Sequence, residues 1–229
     1  MEENTMQNLE SFLDQNFKGL TLQPPLFNAW NPAIRFEMVK PEVSINESSS
    51  LENAFQRSIT LFDEVFRDED ELIAIVDVRT TVDHLFLEEP LKVYRKYIKQ
   101  QQVLAKLRHE LIPDVYNEKR EQMVLHRFTL GCRKRDIRYE LILRETCYKD
   151  FGKVVIELKQ KSQSSIEFYF INLTRGIIYH AYDDAGCDIL AVDKEEIRFL
   201  YDAYRKWISE KDRSAIDSLF NRGNPELLK

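Results

Sequence analysis

The densest group of chemistry-bearing side chains in this chain is His180, Asp183, Asp184 and Asp188, four groups within nine residues of the stretch IIYHAYDDAGCDILAV. Oxygen ligands gathered around a tight turn suit Mg²⁺ or Mn²⁺, so the stretch admits a divalent-metal site and, with it, a hydrolase of phosphate esters. A second reading needs no ion. Two aspartates at the head of a turn are what backbone hydrogen bonding alone selects, with Gly186 closing the turn as a glycine bulge. Strand alternation favours the second reading, because His180 and Tyr182 point to one side and Asp183 to the other. No metal is therefore assigned.

A second set of groups is dispersed along the chain: Arg35, Glu37, Arg57, Asp77, Arg79 and Arg127. On adjacent strands and a covering helix, such arginines and carboxylates would pair bidentately, either to hold the fold or to bind a phosphate or carboxylate ligand. The candidate binding residues are thus Asp183, Asp184, Asp188, His180, Arg35, Glu37, Arg57, Asp77 and Arg127. The other histidines, His84, His109 and His126, lack the HxxxH or HxE…CxxC spacing of a zinc site. Cys132, Cys147 and Cys187 are odd in number, form no CxxC pair and sit in apolar periodic segments, so they read as buried thiols. GxSxG, GxGxxG and GxxxxGK[ST] are all absent, which leaves no nucleophile elbow, no phosphate-cradling loop and no assigned cofactor.

These groups need elements to hold them. Residues 166–192 predict three short antiparallel strands, joined by turns at Thr174-Arg175-Gly176 and Asp183-Asp184-Ala185-Gly186. Arg35 and Glu37 alternate with Ile34, Phe36 and Met38, the mark of a half-buried strand, and MVLHRFTLGC repeats that pattern. ELIAIVDV, residues 71–78, predicts a strand buried on both faces, with Asp77 near its end. Helices are predicted over Met6, Leu9, Leu13 and Phe17 up to Gly19; from a Ser49/Glu52 capping box to Phe66; and through Ile137, Leu141, Arg144 and Tyr148. A long final helix capped by Asp193 and Glu196 carries Ile197, Leu200, Tyr201, Tyr204, Trp207 and Ile208. The arm from Pro24-Pro25 to Pro32 docks through Phe27 and Trp30.

The expected organisation is a single α+β domain over residues 1–229, a mainly antiparallel sheet of five to seven strands with helices largely on one face. IRFEM–helix–IAIVDV and HRFTL–helix–EFYFINL echo each other about ninety residues apart, suggesting β-α-β-like halves at 20–80 and 120–192. Shared composition is the competing explanation. Residues 82–113 predict a helical insertion, with helices at about 90–99 and 102–110, and residues 193–220 a helical cap.

Composition narrows the classes. Fourteen Phe and ten Tyr against six Gly can fill a sizeable core and exclude a disordered chain. A net charge of −6 makes nucleic acid a poor partner and a basic protein a better one. No apolar run reaches the ~20 residues of a membrane span, and the acidic N-terminus lacks signal-peptide character, which points to the cytoplasm.

The run HAYDDAGCDILAVDKEEIRFLYDAYRKWI, with RFEM, LENAFQRSITLFDEVF, IVDVRT and HRFTLGC upstream, resembles the bacterial family known as domain of unknown function 3885, from about Leu20 to Phe220. Its Tyr-Asp-Asp-Arg-Gly-Cys-Asp-like hairpin is matched by Tyr182, Asp183, Asp184, Gly186, Cys187 and Asp188, with Ala185 in place of the arginine. The resemblance implies a bacterial cytosolic protein and carries over no catalytic residue. The functional expectation is a non-enzymatic protein-binding module of immunity or antitoxin type, with a basic partner such as a toxin. The phosphate-ester hydrolase is the alternative.

Overall fold

The computed structural model describes residues 5–39, 47–81, 94–113, 123–148 and 165–221. Helix α1 (Thr5–Asn16) passes through Gly19, at φ +84, into the proline arm, and strand β1 (Ala33–Glu37) follows. Helix α2 (Glu47–Val65) and strand β2 (Glu71–Thr81) come next. One helical turn, α3 (Gln101–Leu104), precedes strands β3 (Arg108–Pro113) and β4 (Met123–Arg133). Helix α4 (Tyr139–Tyr148) leads to strands β5 (Ser165–Asn172), β6 (Ile177–Ala181) and β7 (Gly186–Ala191). Helices α5 (Glu195–Ala203) and α6 (Arg213–Asn221) close the described chain.

All seven strands join one sheet in the order β1-β7-β6-β5-β2-β4-β3, every neighbouring pair antiparallel. This is the expected α+β class, at the upper end of the strand count. The two β-α-β-like segments interleave, because β2 of the first lies between β4 and β5 of the second.

Alternation along each strand sorts side chains onto two faces. Ile34, Leu72, Phe170, Ile177 and Ile189 share a core with Phe55, Phe62, Leu143, Leu200 and Phe220 of the helices α2, α4, α5 and α6. The adjacent residue in each strand, Ala33, Ile73, Ile171, Ile178 and Leu190, packs instead with Leu9, Phe17, Leu22 and Leu26 of α1, the arm and the segment between them. Four helices thus cover one face and α1 with the arm covers part of the other. The arm is fixed where Trp30 Nε1 donates to the Ala191 carbonyl at 2.7 Å and its ring lies 4.9 Å from Phe17. Buried Asn172 ties α2 to the β5–β6 turn: its Nδ2 donates to the Val65 carbonyl at 2.9 Å and its Oδ1 accepts from the Arg175 amide at 3.0 Å. One side chain so closes two element ends that would otherwise bury unpaired backbone groups.

Several local expectations are corrected. Helix α2 begins at Glu47, so Ser49 lies inside it and is not its cap. The helix predicted over 102–110 is one turn followed by β3, because β4 offers Arg108–Pro113 a ladder to pair with, and pairing outweighs helix propensity. The insertion 82–113 therefore contains a strand. His84 and Pro90 lie outside the described residues, and residues 94–99 form a turn ending at the Ile98↔Ile137 bridge. The final helix stops at Ala203: Ile208 bridges Phe36, and the Ser209 amide donates to the Arg35 carbonyl at 3.0 Å, which covers the outer edge of β1. The cap position of α5 falls on Lys194; Asp193, one residue earlier, accepts from the Glu195 amide at 3.0 Å, and Glu196 accepts from Arg175 Nε at 3.1 Å instead of reaching back.

Candidate functional site

One polar residue from each of the seven strands lines up across the α1 face of the sheet: Arg35, Asp188, His180, Glu167, Asp77, Arg127 and Glu110, from β1 to β3 in sheet order. The ladder makes the row. Arg35 lies opposite Asp188, which lies opposite His180; Glu167 lies opposite Asp77, Asp77 opposite Arg127, and Arg127 opposite Glu110. The two halves join where His180 Nε2 meets Glu167 Oε2 at 3.0 Å.

Both arginines bind bidentately, the strongest form of such pairs. Arg35 Nε and Nη2 donate to Asp188 at 2.8 and 3.1 Å, and the Phe27 amide of the arm adds a third bond to Asp188 Oδ2 at 2.9 Å. Arg127 Nε and Nη2 donate to Asp77 at 2.8 and 2.6 Å. The hydrogen bond to Asp188 raises the pKa of Arg35. Burial is the largest single influence on Arg127 and works against its charge, but its hydrogen bond and attraction to Asp77, with smaller contributions from Tyr169 and Glu110, together outweigh it and its pKa also rises. Asp77, His180 and Asp188 are buried, and Tyr169 stacks on His180 at 4.4 Å. Burial pushes the Tyr169 hydroxyl up, with the carboxylates of Asp77 and Glu167 adding to the shift. The row spends its charges on one another. Its clearest physical consequence is register, since a one-residue slip of any strand would carry a charged group to the apolar face.

Of the residues singled out from the sequence, the row unites Arg35, Asp77, Arg127, His180 and Asp188. Arg79 lies one step further along the same face of β2. Glu37 and Arg57 belong elsewhere: Arg57 Nη1 donates to the Glu37 carbonyl at 2.8 Å with its guanidinium 5.0 Å over the Trp207 ring, and Glu37 Oε1 accepts from the Glu210 amide at 3.2 Å. Together they clamp the end of β1 to the segment after α5. Sequence reasoning missed Glu167, Tyr169 and Glu110. The signal for Glu167 was present, a lone carboxylate between Ile166 and Phe168 in an alternating strand.

The acidic hairpin resolves into separate jobs. Asp183 Oδ1 accepts from the amides of Ala185 and Gly186 at 2.7 and 3.1 Å, while Asp188 sits in the row. The four acidic and imidazole groups do not converge, and among the described residues no three His, Cys, Asp or Glu gather as metal ligands. Cys187 is buried on the helical face. Gly186 does not take positive φ, so the glycine bulge is corrected; what it supplies is room, since a Cβ there would overlap the Tyr182 hydroxyl. Gly186→Ala is expected to lower stability by about 1–3 kcal/mol in urea unfolding, and by much less in a Tyr182→Ala background. Equal losses in both backgrounds would locate the strain elsewhere.

The thiols offer no nucleophile. Burial pushes Cys147 up to about 12 and raises Cys132 and Cys187 as well. A concavity of about 780 Å³ beside Tyr204, Trp207 and Arg213 borders no residue of the row. No described helix is long and apolar enough to cross a membrane.

Comparison with known proteins agrees with this geometry at the level of the whole chain. The chain is 27% identical over 213 residues to a Bacillus subtilis (strain 168) protein described as "Uncharacterized protein YnaE", covering 89% of this chain and 98% of that one. No solved structure matches. The sequence model of the family described as "Domain of unknown function (DUF3885)" matches residues 9–212, a span that includes every described strand, all seven members of the polar row and the hairpin, and the chain therefore belongs to that family.

Proposed function

We propose that this protein is a non-enzymatic binding module of the immunity or antitoxin type, acting in the bacterial cytoplasm, whose acidic corner between α2 and β2 docks a basic partner protein. The observation that carries this reading is a misplacement of charge. Asp63 and Glu64 are exposed in the last turn of α2, and Asp68, Glu69 and Glu71 are exposed just beyond it. No basic residue stands in that last turn. A helix C-terminus favours cations, and carboxylates there cost about 0.3–1 kcal/mol each at an exposed surface. Cations from elsewhere in the fold answer that end of the helix: Lys134 pairs with Asp63 at 2.8 Å and donates to the Phe66 carbonyl at 3.0 Å, Arg175 donates to the Glu64 and Val65 carbonyls at 3.2 and 3.3 Å, and Tyr204 donates to Glu64 at 2.7 Å, which offsets the cost of Asp63 and Glu64. Asp68 and Glu69 stand on the exposed turn from Arg67 to Asp70, where turn formation accounts for a polar residue and leaves their negative charge, set against the single exposed Arg67, open to a partner. An anionic surface kept against local preference suits electrostatic docking, which steers association and selects the partner. The pairs Arg35–Asp188, Arg127–Asp77 and His180–Glu167 of the row support the same reading, because their groups are committed to each other.

The test uses two baits, the wild-type chain and Asp68→Lys/Glu69→Lys, presented to a lysate of the producing bacterium. A basic protein is expected to be enriched about 10-fold or more on the wild type over the reversed bait, and to elute as salt rises to about 0.5 M, where screening leaves only a few ångströms of reach. Equal capture by both baits, or no basic protein on either, would overturn the proposal.

A further inference from the structure

We propose that the outer edge of β3 pairs with the β3 of a second copy of this chain, antiparallel about a twofold axis at His109. The proposal concerns a surface distinct from the acidic corner and stands independently of it.

The sheet ends differ in how they are finished. At the β1 end, Ile208 and Ser209 cover the outer edge. At the other end, among the described residues β3 pairs only with β4, and its outer edge carries no ladder. Leu111 on this strand is 57% exposed, the most exposed large hydrophobic residue described. Folded proteins blunt open edges with a charge at the centre, a bulge or a covering segment. On β3 the charges of Arg108 and Glu110 and the terminal Pro113 play that part in an isolated chain, and a second copy that pairs the two charges removes the obstacle they pose.

The sequence of this edge is complementary to itself in one register. With His109 opposite its own copy, Arg108 of each chain faces Glu110 of the other, twice about the axis. Both lie on the polar face, since Arg108 and Glu110 sit opposite Thr129 and Arg127 in β4. The ladder itself spans Arg108–Glu110; on the helical face the same register brings exposed Leu111 beside Leu107, which precedes the strand with its amide bonded to the Leu104 carbonyl and its side chain packed against the main core. Centring the pair on Glu110 would bring the two Glu110 carboxylates face to face, which opposes pairing. The twofold pairing is isologous and closes after two copies, so it joins two seven-stranded sheets without propagating.

Light scattering behind a sizing column decides the matter. At about 100 μM, a concentration well above the Kd of a typical weak dimer, the wild type is expected at about 54.6 kDa, twice the 27.3 kDa chain. Arg108→Glu alone and Glu110→Arg alone each set like charges opposite one another and are expected to weaken dimerisation about 100-fold or more. Mixed in equal amounts, the two variants regain complementarity at both contacts, and a heterodimer of the two is expected in native mass spectrometry. Far-UV circular dichroism checks that each variant is folded. Leu111→Lys, at an exposed position, serves as the second disruptor should Glu110→Arg disturb the neighbouring Arg127. A monomeric wild type, a folded Arg108→Glu or Leu111→Lys variant that still dimerises, or folded single variants that do not combine on mixing would each overturn the proposal.

Discussion

Asp188→Ala is expected to cost about 3–5 kcal/mol of stability, the loss typical of removing one partner from a buried ion pair. Its carboxylate is fully buried and takes three hydrogen bonds, two from Arg35 and one from the Phe27 amide. Deletion strands the Phe27 amide under the arm and leaves the Arg35 guanidinium with only its longer ion pair to Asp212, at 3.5 Å. The Coulomb attraction matters less here than these under-satisfied donors, whose desolvation cost is no longer offset. Urea unfolding should show a lower midpoint with an unchanged slope. Arg35→Met/Asp188→Leu, which removes both charges, is expected to recover a large part of the loss, because apolar replacement of a whole buried pair is commonly near neutral. A loss below about 1 kcal/mol for Asp188→Ala would mean that the pair behaves as a screened surface bridge.

Phe62→Ala should be comparably damaging, at about 3–5 kcal/mol, by a different mechanism. Phe62 is the hub of the helical-face core, with its ring centroid 4.4 Å from Phe66, 4.6 Å from Tyr139, 5.0 Å from Phe170 and 5.3 Å from Tyr179. These rings come from α2, its C-terminal end, α4, β5 and β6, so the cavity cannot collapse without moving elements pinned elsewhere. Tyr179 is held by its hydroxyl, which donates to the Ser58 carbonyl at 2.9 Å. Phe62→Leu keeps most of the volume and is expected to lose no more than about 1.5 kcal/mol. Similar midpoints for the Ala and Leu variants would show that the core can close over the gap.

Much of the fold was legible because period-2 alternation is a strong local signal. The alternation of Ile34 and Phe36 marked one strand, the short apolar run ELIAIVDV a second, and residues 166–192 with their turns three more, and each is a strand in the structure. The errors fall where a distant partner decided the local outcome. Residues 108–113 carry a helix-tolerant sequence and became a strand because β4 stood alongside. The helix starting at Glu195 was cut short because Ile208 and Ser209 are bound to β1. Gly186 was assigned to a turn for its backbone freedom, and its actual role is to leave space for the Tyr182 ring, a contact that turn rules do not contain.

The candidate site divides the same way. The sequence by itself determined which residues carry charge, that Arg35, Asp77 and Arg127 sit in strands, and that Asp183 and His180 would point apart, since all three follow from residue type and strand period. Only the tertiary structure decided that Asp188 leaves the acidic hairpin to bind Arg35, that His180 reaches Glu167, and that these groups form one row with Asp77, Arg127 and Glu110. The reason is physical: a strand's period fixes the face of each side chain, while its partner across the sheet depends on strand order and register. Here that order interleaves segments more than a hundred residues apart, as in the 153-residue separation of Arg35 and Asp188.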